Sequence, residues 1–290
     1  HLPAETRALI RLHLHNLELW HGGGIGELQL CEFEQAPNCC NLCGDFPGPH
    51  AVVPDGLGTT VTTALLASIP LSAIKYDHPV TNINTANPDE IIITTSGETT
   101  TLSCKKLIST LPLGVLQHTH AALFTPPLPD DKISAINALS PGSYKKVILK
   151  FSTPWWSETI ETPFISIVRI THPGKTKLED RGVNIGDKLM LENHYVIGGK
   201  KESKLVALLV GQAARNAVGK SDAEVASAVM LLMRMCMHPG VEGVRGGEEL
   251  ITDVCVTKWE EDIYCRGAYS GFKLGSTCDH VDVLKRSEGG

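Results

Sequence analysis

The chain has 290 residues, 42% hydrophobic and 20% charged, with a formal net charge of −6 and a pI near 6.1. This is ordinary globular material for one complex domain or two, neither disordered nor collagen-like. The acidic balance argues against a nucleic-acid surface, which needs clustered Lys and Arg to release counterions, and suits a cationic substrate better.

In chain order, the first expected element is an amphipathic helix from Thr6 to Trp20, with Ile10, Leu14 and Leu17 on one stripe and the GGG run at 22–24 as its stop. The absence of an initiator Met and the closing KRSEGG read as the ends of a piece of something larger. Residues 31–50 are rich in Pro, Gly, Asn and Cys, so they read as a loop and domain edge. Cys31, Cys39, Cys40, Cys43 and His50 there fit either a zinc knuckle or plain loop thiols. An odd total of nine cysteines reads as reduced thiols of an intracellular protein, with nucleus, cytoplasm and peroxisome not distinguished. The histidines of LHLHN and of HTH (118–120) read as surface residues.

A Pro-Asp-Gly turn and a helix with Val61, Leu65 and Ile69 on one face follow. Two β-branched runs around Ser96-Gly97 predict a hairpin over 90–110, and KLISTLP (106–112) predicts a further strand ending at Pro112. In YKKVILKF (144–151), Val147, Leu149 and Phe151 should face one way and Lys146, Ile148 and Lys150 the other. KLVALLVG (204–211) predicts a strand buried on both faces. A helix should follow, with a Ser221/Glu224 capping box and a stripe of Val225, Val229, Leu232 and Cys236. The apolar runs LVALLV (205–210) and VMLLMRMCM (229–237) fall far short of the roughly 20 residues that span a bilayer, so no membrane crossing is expected. Strands alternating with helices, plus one hairpin, indicate a mixed α/β or α+β class. There is no Gly-x-Ser-x-Gly elbow, Walker loop or Gly-x-Gly-x-x-Gly fingerprint. Lys146 fits two roles: an edge-strand lysine that blocks sheet pairing, or a poised lysine able to hold a water. Periodicity does not separate them.

Together, KLISTLPLGVL (106–116), PPLPDDKISAI (126–136), YKKVILKFSTPWW (144–156) and WEEDIYCRGAYS (259–270) resemble the flavin-dependent amine oxidases, a family that includes polyamine oxidases, spermine oxidases and lysine-specific histone demethylases. The order and separations are similar too, from about Leu14 to Thr277. The resemblance implies a two-domain fold, with residues 1–48 and 143–277 in the substrate domain, 49–142 in the FAD domain and 278–290 as a tail. The N-terminal dinucleotide-binding half and the C-terminal flavin segment have no counterpart here.

The resemblance also implies roles. Lys146 would be catalytic, holding a water against the reactive flavin nitrogen. Lys145 would be its outward-facing neighbour, and Phe151, Trp155 and Trp156 packing at the strand's end. Trp259 would flank the flavin ring, and Tyr264 and Tyr269 would form the substrate cage, although tryptophan often stands where Tyr264 does. Val80, Thr110, Leu111 and Pro112 would meet FAD. Gln212 stands where the family often has a glutamate. The implied partners are molecular oxygen and an amine, either a polyamine or methylated lysine, with an imine and hydrogen peroxide as products. Segment DFPGPHAVVPDG (45–56) leans toward polyamines; NLEL (16–19) and LVALLVGQAA (205–214) lean toward methyl-lysine. Without its other half the isolated chain is expected to bind flavin weakly or not at all. A different class, a flavin-free interaction module, is the alternative.

Overall fold

A computed structural model of the chain describes residues 2–29, 53, 56–96, 101–156, 160–170, 182–237 and 250–288. The cysteine and histidine cluster of 31–50 and the hairpin's Gly97 lie outside these residues. The helices and strands begin with α1 (Ala4–His21), α2 (Leu57–Thr60), β1 (Val80–Asn87), β2 (Glu90–Thr95), β3 (Thr101–Cys104), α3 (Leu113–Leu123), β4 (Phe124–Thr125) and α4 (Asp130–Ala138). They continue with β5 (Ser140–Pro141), β6 (Tyr144–Phe151), β7 (Phe164–Val168), β8 (Lys188–Asn193), β9 (Lys204–Val210), α5 (Gln212–Asn216) and α6 (Asp222–Met237). The last are β10 (Ile251–Val256), β11 (Ser270–Gly271) and α7 (Cys278–Lys285).

The chain divides into two compact units, His1–Leu30 with Ser140–Leu274, and Cys31–Leu139 with Gly275–Gly290. The resemblance had implied breaks at 48, 142 and 277. Residues 278–290 are not a plain tail, because α7 packs on α4 and Lys132 donates to the Leu284 and Arg286 carbonyls at its C-terminal end, where a cation is favoured.

The first unit is built on a five-stranded antiparallel sheet in the order β10-β6-β9-β8-β7. Its strands are rich in Val, Ile and Leu, and alternation assigns the two faces. One face packs Val147, Leu149, Leu189, Leu191, Leu205 and Leu209 against Val225, Val229, Leu232 and Met233 of α6. The capping box that starts α6 is present: the Glu224 N–H donates to Ser221 Oγ at 3.3 Å, and the Ser221 N–H donates to the Glu224 carboxylate at 2.9 Å. The other face packs Val206, Leu208 and Val210 against Leu19 of α1. Central β9 is therefore covered on both sides, as a continuous apolar run requires. Trp156 and Phe151 close the end of β6 with ring centroids 5.1 Å apart, and the Trp156 indole N–H donates to Asn193 Oδ1 at 2.9 Å.

Helix α1 ends where the glycines predict, with Gly22 in the left-handed region at φ 67°. Its buried side is not the predicted stripe: Ile10 and Leu17 are exposed, while Ala8, His15, Glu18 and Leu19 are buried. His15 is thus no surface residue; its Nδ1 lies 3.0 Å from Glu18 Oε2. The Glu18 carboxylate also accepts from Lys188 Nζ at 2.5 Å and from the Ile25 N–H at 3.1 Å. Apolar spacing failed here because a charge-paired polar side is what the sheet accepts.

The second unit holds a four-stranded sheet, β3-β2-β1-β4, with only the β1–β4 pair parallel. The β2–β3 pairing realises the predicted hairpin, whereas β1 was not foreseen because VTNINTAN alternates too few apolar residues. The strand expected at 106–112 is absent; residues 106–112 carry no regular structure and lead into α3. The helix expected over 57–69 is a single α-turn followed by a π-helical turn at Val61–Leu65, and Val61, Leu65 and Ile69 are all exposed. Cys278 is disulfide-bonded, so the reduced-thiol reading does not hold at that position; Cys104, Cys236, Cys255 and Cys265 are free.

Burial alone would raise the Glu18 carboxyl, but the contacts with His15, Lys188 and the Ile25 N–H outweigh it and lower the pKa from 4.5 to about 2. A depressed folded-state value stabilises above the unfolded value and is lost as pH falls from 4.5 toward 2. Through this group, acidification across that window should cost up to about 3 kcal/mol, seen in urea unfolding as a function of pH. Glu18→Gln should flatten that slope.

Candidate active site

Strand β6 carries two adjacent lysines, and pleating sends them to opposite faces. The expected faces of Val147, Leu149 and Phe151 against Lys146, Ile148 and Lys150 are found, but Lys145 is not outward-facing. It is 0% exposed and shares the buried side with Val147. The reason is local: its ammonium lies 2.8 Å from Glu261 Oε2 and 3.0 Å from Glu260 Oε2, and donates to the Thr257 carbonyl at 3.3 Å. A lysine can be buried only with such partners. Burial would raise the Glu261 carboxyl, yet the hydrogen bonds from Lys145 and from the Gly219 N–H hold it below the usual range.

Those two glutamates belong to the turn WEEDIYCRGAYS, which the same stretch of β6 anchors through its backbone. Thr257 N–H donates to the Lys146 carbonyl at 3.0 Å, and the Lys146 N–H donates to Thr257 Oγ1 at 2.8 Å. Further on, Ala268 N–H donates to the Gly142 carbonyl at 2.7 Å and Gly142 N–H to the Tyr269 carbonyl at 2.8 Å. Only glycine fits at 142, since a Cβ there would stand 2.7 Å from the Tyr269 carbonyl oxygen. The turn is held at both ends, and between them Trp259 and Tyr264 remain 42% and 60% exposed. Exposed aromatic rings on a fixed backbone are what a flat or cationic ligand needs.

Lys146 stands on the opposite face with its side chain 44% exposed, and its ammonium lies 3.3 Å from Glu192 Oε1. Of the expected cage pair, Tyr269 is 44% exposed, with its ring 5.8 Å from that of Tyr144 and its hydroxyl donating to the Leu19 carbonyl. Burial pushes the Tyr269 phenol up to about 12. Tyr264 is more exposed still. In the second unit, Val80 opens β1 and is 39% exposed, Thr110 and Pro112 are exposed, and Leu111 is half-buried just before α3. A small cavity lined by His21, Gly22, Leu28, Pro141, Arg215 and Phe272 contains none of the residues expected to carry chemistry. Among the described residues there is no His/Cys/Asp/Glu group able to hold a metal ion, and no helix long and apolar enough to cross a membrane.

Sequence reading missed Lys145 with its two glutamates, and Glu192. The adjacent acids after Trp259 were a signal for the first, and a lone Glu in the apolar run KLMLEN for the second.

A sheet-borne lysine beside an anchored aromatic turn, with a second unit centred on a hairpin sheet, is similar in fold to amine oxidases. Cyclohexylamine oxidase from Brevibacterium oxydans IH-35A matches 96% of this chain and 56% of its own, with a TM-score of 0.66 at 15% identity. The chain belongs to the flavin containing amine oxidoreductase family, whose model matches residues 24–290. Its curated relatives include the lysine-specific histone demethylase 1 homolog 3 of Oryza sativa subsp. indica, 27% identical over 97% of this chain and 31% of that protein. The histone demethylase-like protein A of Aspergillus fumigatus is 30% identical over 99% of this chain and 25% of that protein. The chain therefore spans between a quarter and a third of the length of these two relatives.

FAD is the cofactor this membership implies. Residues of the first unit fit one edge of such a group: Trp259 offers a half-exposed ring on a backbone fixed at both ends, and Lys146 offers a reachable ammonium.

Lys145→Met would leave Glu260 and Glu261 facing an apolar group. It should cost about 3–5 kcal/mol in urea unfolding, with hydrogen exchange accelerating across residues 257–268, whereas Lys146→Met should cost about 1 kcal/mol or less.

Proposed function

We propose that this chain supplies the substrate-facing part and one flavin edge of an FAD-dependent amine oxidase acting on methylated lysine in a protein, with release of hydrogen peroxide. The observation that carries the reading is the placing of Lys146. It emerges on the accessible face of β6 while its own backbone is bonded to the turn that bears Trp259. Membership of the flavin family and similarity to histone demethylase homologues support the substrate class.

FAD, when bound, supplies the two-electron acceptor for oxidation of the carbon next to the amine nitrogen. The chain's own residues do the rest. Lys146 holds a water through its ammonium, beside the reacting amine. Trp259 limits where the flavin ring can lie, and its apolar ring excludes bulk water from that side. Tyr264 and Tyr269 offer ring faces to an alkylammonium before it gives up its proton. Val80, Thr110, Leu111 and Pro112 contribute backbone and apolar contact to the cofactor.

The test is anaerobic bleaching of the flavin absorbance in a longer protein that joins this chain to a dinucleotide-binding half. A dimethyl-lysine peptide should bleach it and spermine should not; the reverse result would transfer the assignment to polyamines. Lys146→Met should slow bleaching by about a hundredfold or more with flavin still bound, as loss of a group that acts at the reacting atoms requires. Unchanged bleaching would remove Lys146 from the chemistry.

A further inference from the structure

The sheet face that carries Lys146 carries one acid whose position no family role explains. Glu192 lies on β8, and its carboxylate reaches across central β9 to Lys146; the register pairs Lys146 with Leu208 and Glu192 with Val206. The two side chains are 44% and 20% exposed, so a ligand can reach both. The other described partner of Glu192 is His194, whose Nε2 lies 3.4 Å from Oε2. Glu18, also on this face, is already committed to Lys188, His15 and the Ile25 N–H.

Burial would raise the Glu192 carboxyl, but His194 and the Lys146 ammonium outweigh it and keep the group ionised. The Tyr144 phenol is pushed well above its ordinary range by burial, by Tyr269 and by the Glu192 charge. Tyr144 stands two residues before Lys146 on the same face of β6, and its ring lies 5.8 Å from that of Tyr269, so the ring pair starts on the sheet face that carries Lys146 and Glu192. A lone lysine here would repel a cationic amine, and two charges a few ångströms apart at a partly buried site interact strongly. A carboxylate beside it cancels that repulsion and offers the newcomer a partner.

We propose that Glu192 sets the charge specificity of the site: it neutralises Lys146 in the free protein and receives the alkylammonium of the substrate beside the Tyr144 and Tyr269 rings. This rests on the amine-oxidase reading for its ligand class, but it concerns binding and not oxidation.

The experiment is equilibrium binding, followed by NMR line shape, of two probes to the 290-residue chain. One is hexyltrimethylammonium, whose quaternary nitrogen has no lone pair with which to be oxidised; the other is uncharged hexanol. Glu192→Gln should weaken the cation about tenfold and leave hexanol within about twofold, as loss of one partly buried charge partner predicts. Lys146→Met should act in the opposite sense, tightening the cation about threefold or more, because Glu192 is then released from its internal partner. That gain is one a merely structural role would not give, and it carries the test if Glu192→Gln fails to fold. Equal cation affinity in wild type and Glu192→Gln, parallel weakening of both probes, no saturable cation binding by the wild type, or no tightening in Lys146→Met would each overturn the proposal. Cation binding through Glu192 in a protein whose flavin no amine reduces would leave it standing while removing the oxidase reading.

Discussion

The fully buried ammonium of Lys145, lodged between Glu260 and Glu261, is the constraint on which the site depends. A charge removed from water must be matched by partners in fixed positions, and here those partners sit on a turn with little regular structure of its own. Binding them to β6 converts twelve residues of loop into a rigid feature of the sheet. Glu261 also accepts from the Gly219 N–H, which ties the same turn to the segment between α5 and α6. Three parts of the chain are thus registered on one nitrogen atom.

The sheet divides labour by face. The α6 side is a dense apolar core with that one charge cluster at its rim, and it supplies most of the unit's stability. The α1 side is thinner, and polar pairs run across it: Lys146 with Glu192, Lys188 with Glu18, Arg11 with Asp187. Surface or half-exposed pairs of this kind add little to stability, so their arrangement can serve recognition at small energetic cost. Because side chains alternate along β6, the residue that holds the turn and the residue offered to a ligand can be consecutive.

How much was legible in the sequence followed from periodicity. The strand at 144–151, the doubly buried strand at 204–210, the capped helix after Ser221 and the hairpin pairing were read correctly, because each has an apolar repeat or a local cap that its neighbours do not override. Helix α1 was placed but turned the wrong way, since its buried side includes His15 and Glu18, whose burial depends on Lys188 far along the chain. Lys145 was misread for the same reason: an isolated sequence gives a lysine no way to declare partners 115 and 116 residues away, at Glu260 and Glu261. Lys146, Trp259 and the tyrosines came from family likeness and not from spacing, and the geometry of Tyr269, paired with Tyr144, was in neither.

The division of the chain has a consequence for its synthesis. Helix α1 is made well before its cover: Leu19 and Glu18 are buried by β8 and β9, with the whole of Cys31–Leu139 made in between. Vectorial translation at about 5–20 residues per second leaves that helix waiting roughly 10–40 seconds for its cover. Closing so long a loop costs little more entropy than a loop half its length, by about 0.6 kcal/mol, so the delay is kinetic and not thermodynamic. During that interval the polar pairs of α1 are unmade and Leu19 lies bare beside the outward Ile10 and Leu17, so the apolar face of this helix stays uncovered until β9 is complete.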